Sequence, residues 1–203
     1  QLSIDVRVQH TLREELAAAV EKFHAEGGNG IVMDANTGEI LAMVSLPDFD
    51  PHDPVADDPQ AIFDRNTLGV YEMGSTFKLF TVSMALDTRT VTLASTFDAV
   101  HPIKVGRYTI TDYKGENRWL TVPEVIKYSS NLGAARIALA AGVEKHRAYL
   151  QRFGLLSPLK LEVPELGRPE IPHPWREVST MTIAFGHGLA VTPVHLASGV
   201  AAV

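Results

Sequence analysis

The sequence contains no cysteine, and this absence excludes several classes of protein. Disulfide scaffolds, cysteine-ligated zinc sites, iron–sulfur clusters and thiol nucleophiles all require that residue. The absence does not indicate a compartment, because an exported protein can also lack cysteine. The chain also lacks any apolar run near the roughly 18 residues that suggest a membrane span. Its longest candidates, Ile137–Val143 and Leu196–Val203, suit core helices.

Positive charge is in deficit as well, with 18 Lys and Arg against 24 Asp and Glu, a net charge of −6. Without a basic block, such a chain is a poor candidate for binding nucleic acid. The eight histidines are scattered and form no H-x-x-x-H pair, so we predict neither a metal site nor a cofactor. Apolar residues at 45% and charged residues at 21% fit an ordinary globular domain.

The first 46 residues predict an entry segment, a helix and a hairpin. Apolar and polar residues alternate over 1–10, which favours an extended segment. Thr11, with Glu14 three residues later, has the capping-box spacing of a helix start. Turn residues at 36–38 separate two predicted strands, which indicates a β-hairpin. These strands are Ile31–Asp34 and Glu39–Ser45.

The rest of the chain is mainly helical, so the predicted class is α+β. We predict one partial domain over 1–203, with 1–10 as entry segment, 11–46 as helix plus hairpin and 65–203 as the mainly helical region. No start methionine is present, and the last helix, opened by Thr192-Pro193, carries no stop signal. We therefore expect that helix to run through Val203 and the chain to be part of something longer.

The strongest chemical signal is Gly74-Ser75-Thr76-Phe77-Lys78. Positions three apart share a helix face, so Ser75 and Lys78 should be neighbours. Residues 77–86 leave no polar face, which predicts a helix buried all round. Burial lowers the pKa of a lysine, and a neutral amine can activate a serine nucleophile. Ser157-Pro158-Leu159-Lys160 has the same spacing, but it lies in a proline-rich stretch, so we interpret it as a decoy.

A second signal is Ser129-Ser130-Asn131, between two predicted helices. A second hydroxyl can relay a proton to a leaving amine, and an amide can hold a substrate carbonyl. The alternative is a simple helix cap, since Ser and Asn are both favoured at that position. The order of the two signals along the chain favours the catalytic interpretation.

Taken together, these segments resemble the serine penicillin-recognising enzymes, and more closely a class B penicillin-binding protein of the cell-division type. The resemblance extends through nearly all of the chain. It rests on Ser3-Ile4-Asp5 with Gln9, the hairpin segment 32–43, Tyr71–Lys78, Tyr128–Gly133, and Phe185–Gly188 with Val191-Thr192-Pro193.

The resemblance implies a penicillin-binding/serine β-lactamase-like transpeptidase fold, here without its C-terminal sheet strands. It implies a D,D-transpeptidase with Ser75 as nucleophile, Lys78 as its base, Ser129 as proton relay and Asn131 as substrate-binding amide. Gly186, His187 and Gly188 would lie at the cleft rim. The expected ligands are peptidoglycan stem peptides and β-lactam antibiotics. Division-machinery proteins are expected partners of a membrane-anchored parent on the periplasmic side of the bacterial inner membrane.

One family element is missing from the sequence. K-[ST]-G should follow the S-x-N tripeptide, and nothing after Asn131 matches it. Lys104-Val105-Gly106 precedes that tripeptide and lacks the hydroxyl, so we interpret it as a decoy. We therefore expect residues 1–203 alone to be inactive.

Two other functions remain as alternatives. A class A serine β-lactamase would need a glutamate followed at +3 and +4 by Leu and Asn. Glu162, Glu165 and Glu170 lie in the right region but lack those neighbours. A non-catalytic scaffold or sensor module of the penicillin-binding type would explain the missing motif but not a lysine in a buried helix.

Overall fold

The computed structural model describes residues 2–52 and 58–203. Its elements in chain order are α1 (Val6–Phe23), β1 (Gly28–Met33), β2 (Ile40–Leu46), α2 (Pro59–Ile62), β3 (Tyr71–Glu72), a 3₁₀ turn (Gly74–Thr76), α3 (Phe77–Asp87), β4 (Thr96–Asp98), β5 (Ile103–Val105), β6 (Tyr108–Ile110), β7 (Trp119–Thr121), α4 (Val122–Lys127), α5 (Asn131–Ala141), α6 (Val143–Arg152), α7 (Glu177–Ile183), β8 (Ala190–Val191) and α8 (Pro193–Ala201). This mixture of helices and short antiparallel pairs confirms the α+β class.

Contacts divide the chain into two units, which we describe separately. Unit 1 holds the residues up to Tyr71 with Ser157–Pro169 and Val191–Ala202, and unit 2 holds Glu72–Leu156 with Glu170–Ala190. No helix of the described residues is long and apolar enough to cross a membrane.

Unit 1 is built on the predicted hairpin, which is confirmed. β1 and β2 pair antiparallel from Gly28 opposite Leu46 to Met33 opposite Ile40, with an irregularity at Val32/Met33. Helix α1 lies on this pair because glycines leave room for its leucines. A Cβ on Gly30 would meet the Leu12 side chain at 2.9 Å.

The start of α1 differs from the prediction. The helix begins at Val6, so residues 6–10 are helical and Thr11 is not a cap. Asp5 caps the helix instead, accepting a hydrogen bond from the Arg7 N–H. The alternation contains only four apolar residues, which are too few to exclude a helix. The carboxylate of Asp5 also satisfies a free amide of the first helical turn. Phe23, which follows Leu12, Leu16 and Ala19 at helical spacing and would be expected on the buried face, is 72% exposed.

Two other boundaries of unit 1 also differ. Residues 47–64 are rich in Pro and Asp, which predicts a loop, but the structure has the short helix α2 there, opened by Asp58. Residues 53–57 of this segment lie outside the described residues. Helix α8 ends at Ala201, where the Ala202 N–H bonds to Gly199, so the prediction that it runs through Val203 is wrong.

Unit 2 places α3 among α4, α5, α6 and α7. Phe77, Met84 and Ala85 of α3 are fully buried, which is why that sequence has no polar face. Two short hairpin-like pairs, β4 with β7 and β5 with β6, complete the unit. The core is formed by apolar side chains of these elements, among them Leu120, Val122, Val125, Leu132, Ile137 and Ile183.

Candidate active site

Ser75 and Lys78 lie at the start of α3. Ser75 is on the 3₁₀ turn that leads into the helix, and Lys78 is in the first α-helical turn. Gly74, at φ +55, supplies the left-handed conformation at this entry, which glycine adopts without penalty. The Ser75 side chain stays exposed, whereas Lys78 is only 2% exposed because apolar neighbours of α3 surround its stem.

The tripeptide Ser129-Ser130-Asn131 forms the connection between α4 and α5. Ser130 is the N-cap of α5, and its hydroxyl accepts a hydrogen bond from the Gly133 N–H at 2.9 Å. Ser129 takes a left-handed conformation, φ +54, which turns the chain sharply just before the cap. The cap and the candidate catalytic groups are therefore different residues of one tripeptide.

The Lys78 amine joins these two elements. Its Nζ donates to Ser75 Oγ at 2.7 Å, to Ser129 Oγ at 3.1 Å and to Asn131 Oδ1 at 2.8 Å. Ser129 Oγ also donates to Ser75 Oγ at 2.9 Å. The structure thus brings together all four residues for which catalytic or binding roles were predicted, and those roles stay predictions.

Burial gives this lysine unusual chemistry. Removal of the amine from water lowers the Lys78 pKa from 10.5 to about 8, while the negative charge of Asp112 opposes that change. At pH 7 about one molecule in ten therefore carries a neutral amine beside Ser75 Oγ. Such a group can accept the hydroxyl proton of a serine.

The predicted rim residues form a turn after α7 that is bound to the loop before Ser75. Glu72 accepts hydrogen bonds from the Gly188 N–H at 2.6 Å and from His187 Nδ1 at 3.0 Å. These two donors hold the pKa of the Glu72 carboxyl below its usual value. The Gly74 N–H donates to the Gly186 carbonyl at 3.2 Å. The turn 186–188 is therefore fixed relative to the nucleophile.

A cavity of about 460 Å³ opens beside Asn131 and His187. Its walls are mainly apolar and come from the β5–β6 pair and from α7, including Val105, Tyr108, Ile110, Val178 and Phe185. An apolar group of a ligand held by the Asn131 amide fits such a wall.

Sequence reasoning missed two residues of this region, Glu72 and Asp112. Asp112 accepts hydrogen bonds from Ser130 Oγ and from the Leu132 N–H. No spacing rule links Asp112 to a tripeptide that begins 17 positions later in the sequence. Glu72 lies within the Tyr71–Lys78 segment that carries the resemblance. Its place in that segment was the one feature of the sequence that could have indicated a role at the site.

Neither of the two decoy strings lies on a helix in the described structure. Ser157 and Lys160 lie in a stretch of unit 1 without a helix, so their spacing does not place them on a shared helix face. Lys104-Val105-Gly106 belongs to β5 and its turn. Within residues 2–52 and 58–203 no cluster of His, Asp and Glu could hold a metal ion.

Comparison with known proteins decides the family. The model of the penicillin binding protein transpeptidase domain matches residues 28–203. The chain belongs to the penicillin-binding protein transpeptidase family. Within this family, the chain is 44% identical over 197 residues to a probable peptidoglycan D,D-transpeptidase FtsI of Caulobacter vibrioides, covering 97% of the chain and 33% of that relative. It is 34% identical over 200 residues to the peptidoglycan D,D-transpeptidase FtsI of Escherichia coli K12, again over 97% of the chain and 33% of the relative.

Solved structures agree with this penicillin-binding assignment. The transpeptidase domain of penicillin-binding protein 3 from Burkholderia pseudomallei superimposes with a TM-score of 0.86 at 34% identity, over 99% of the chain and 57% of that structure. A peptidoglycan glycosyltransferase from Burkholderia ambifaria gives a TM-score of 0.87 at 34% identity, over 100% of the chain and 60% of that structure. Nearly the whole chain thus matches part of the transpeptidase fold, and it spans about a third of the length of its curated relatives.

Proposed function

We propose that the protein is a serine D,D-transpeptidase that cross-links peptidoglycan through an acyl-enzyme on Ser75. One observation carries this proposal. The Lys78 amine, buried and with a lowered pKa, lies 2.7 Å from Ser75 Oγ and also contacts Ser129 and Asn131. The names of the Caulobacter and Escherichia relatives support the substrate class.

The geometry supports a two-step reaction. In the first step Ser75 Oγ bonds to the carbonyl carbon of a stem-peptide D-Ala, and its proton passes to Lys78 Nζ. The bond from that carbon to the nitrogen of the terminal D-Ala breaks, and the leaving nitrogen takes a proton through Ser129 Oγ. In the second step an acceptor amine bonds to the acyl carbon and gives up one proton to Lys78 Nζ, the bond from that carbon to Ser75 Oγ breaks, and Ser75 Oγ takes the proton from Lys78.

The hydrogen bonds around the nucleophile suit this order. A neutral Lys78 has two N–H donors, enough for Ser129 Oγ and Asn131 Oδ1, and a lone pair for the Ser75 proton. The Asn131 amide, at the mouth of the apolar cavity, holds the substrate next to Ser75. A β-lactam would acylate Ser75 in the same way, but its leaving nitrogen stays tethered, so the adduct persists.

Location and partners complete the proposal. Peptidoglycan stem peptides lie outside the inner membrane, so we place the reaction on its periplasmic side. The likeness to two proteins named FtsI supports a place in the division machinery, with its proteins as partners.

Covalent labelling of the intact protein with a fluorescent penicillin tests the proposal. Ser75→Ala should abolish labelling, and mass spectrometry of the wild-type adduct should assign it to the peptide that contains Ser75. Ser157→Ala is the matched control, because it removes the serine of the other S-x-x-K string, and it should label like wild type. Labelling that survives Ser75→Ala would eliminate this nucleophile.

A second assay separates transpeptidation from hydrolysis. Incubation with a D-Ala-D-Ala peptide and an acceptor amine should release D-Ala and form the cross-linked product. Rapid turnover of nitrocefin without a stable adduct would instead identify a serine β-lactamase. No labelling of the wild type would favour a non-catalytic module.

A further inference from the structure

Asp112 binds the S-x-N tripeptide at the N-terminal cap of α5. It lies two residues after β6, with Oδ2 accepting from Ser130 Oγ at 2.7 Å and Oδ1 accepting from the Leu132 N–H at 2.9 Å. The neighbouring Thr111 carbonyl accepts from Asn131 Nδ2 at 3.2 Å. Residues 111–112 therefore hold three consecutive residues, 130–132, through three hydrogen bonds.

These bonds determine what faces the Lys78 amine. Because Asn131 Nδ2 is bound by Thr111, the other end of that amide, Oδ1, is turned to Lys78 Nζ at 2.8 Å. Ser129 directly precedes the residue that Asp112 holds, and its hydroxyl is the second acceptor for Lys78. Two of the three partners of the lysine thus depend on the 111–112 segment.

The carboxylate also acts by its charge. Within the described residues Asp112 is the group whose charge opposes the lowering of the Lys78 pKa by burial. The other titratable or charged groups on the helices packed against α3 are Glu124 and Lys127 on α4, Arg136 on α5, and Glu144, Lys145, His146, Arg147, Tyr149 and Arg152 on α6, and the Glu72–His187 pair lies at the rim. His146 has a pKa lowered to about 4 by burial, so it stays neutral where Lys78 titrates.

We propose that Asp112 is a positioning residue for the base, holding the Ser129-Ser130-Asn131 turn against the Lys78 amine and keeping a negative charge near it. This inference rests on the proposed function, because it assumes that Lys78 accepts the Ser75 proton. Asp112 itself touches neither Ser75 nor Lys78 by a hydrogen bond in the structure. It combines a structural and an electrostatic effect, and these can be measured separately.

The test is the pH profile of acylation of the intact protein by a fluorescent penicillin, from about pH 6 to 9.5. In Asp112→Asn the loss of charge should move the acid limb of the profile to lower pH by about 0.5–1 unit. The plateau rate should fall, because an amide cannot accept both hydrogen bonds. Asp112→Glu keeps the charge, so its limb should stay at the wild-type position even if its plateau falls.

A purely structural role predicts lower plateaus with no movement of the limb, and that result overturns the proposal. A limb that moves to higher pH does the same. If Asp112→Asn does not fold, Asp112→Ser takes its place, since its hydroxyl keeps one acceptor and the same downward shift is expected. Wild-type protein that is not acylated at Ser75 would instead refute the proposed function, so the two failures are distinguishable.

His187→Gln controls for the nearby titratable group. It removes the rim imidazole while keeping a polar side chain, and the acid limb should not move. If the acid limb moves in His187→Gln but not in Asp112→Asn, the pH dependence belongs to the rim and the inference is refuted.

Discussion

At the residue scale, a protonated Lys78 donates all three of its ammonium hydrogens to hydrogen bonds. They go to Ser75, Ser129 and Asn131, so the ammonium form is fully hydrogen-bonded although it is buried. Deprotonation frees one position, and the shortest contact, 2.7 Å, points to Ser75. The same side chain can therefore rest as a satisfied cation and react as a base.

This gives a pH dependence with a definite sign. Only the neutral amine accepts a proton, and the Lys78 pKa is about 8, so the acylation rate should rise with pH and level off above about pH 8. Lys78→Arg keeps the charge but cannot lose its proton, so its rate should be roughly 10²–10⁴ below the wild-type plateau above about pH 8 and should not rise with pH. Rates come from the same labelling reaction, with circular dichroism as the control for folding. An arginine variant within tenfold of wild type would show that Lys78 is not the base.

At the element scale, two neighbouring serines at the start of α5 have different roles, one in stability and the other in the proposed chemistry. Ser130 is 1% exposed and carries the cap, whereas Ser129 is exposed and faces Lys78 and Ser75. The two neighbouring serines should therefore respond differently to the same substitution.

Ser130→Ala should lower the free energy of unfolding by about 1–2 kcal/mol, since it removes the cap and leaves Asp112 without one partner. Ser129→Ala should change it by no more than about 0.5 kcal/mol while reducing the rate of acylation. Urea unfolding of both variants, with acylation rates alongside, measures the contrast. Equal losses of stability would mean that the cap assignment is wrong.

Local chemistry explains why the helices of unit 2 can be predicted from the sequence. Thr121 with Glu124 starts α4, and Gly142 separates α5 from α6, because capping boxes and glycine stops act within a few residues of each other. The start of α1 could not be predicted in this way, since a short alternation fits more than one period. The contact of Asp112 with the tripeptide could not be predicted either, because only the tertiary fold brings the loop after β6 to that tripeptide.

At the scale of the whole molecule, the free energy of unfolding should depend on a histidine to which no catalytic role was assigned. His146 on α6 is 1% exposed, its Nδ1 has no hydrogen-bond partner in the described structure, and burial lowers its pKa to about 4. In the unfolded chain a histidine titrates near 6.5. Between these values the unfolded state binds a proton that the folded state does not.

The free energy of unfolding should therefore fall as the pH falls from about 6.5 to about 4, with His146 contributing about 3 kcal/mol of the loss. His146→Gln should be less stable at pH 7 but should show a flatter dependence across that window. His10→Gln, the same change at an exposed position, should keep the wild-type slope. Denaturant unfolding at several pH values provides the comparison, and an unchanged slope in His146→Gln would contradict this account.

The contact between Gly74 and Gly186 restricts how this protein can evolve. A Cβ at Gly186 would lie 1.9 Å from the Gly74 carbonyl oxygen, and both residues have positive φ, +55 and +87. Gly186 cannot be exchanged without rebuilding the backbone beside the nucleophile, whereas a side chain at Gly74 would meet no neighbouring atom and would carry only the cost of its left-handed φ. Between the glycines of the rim, by contrast, the His187 side chain is more than half exposed. A substitution that reshapes the cleft rim therefore fits at position 187, where it loses the imidazole contact with Glu72, but not at Gly186.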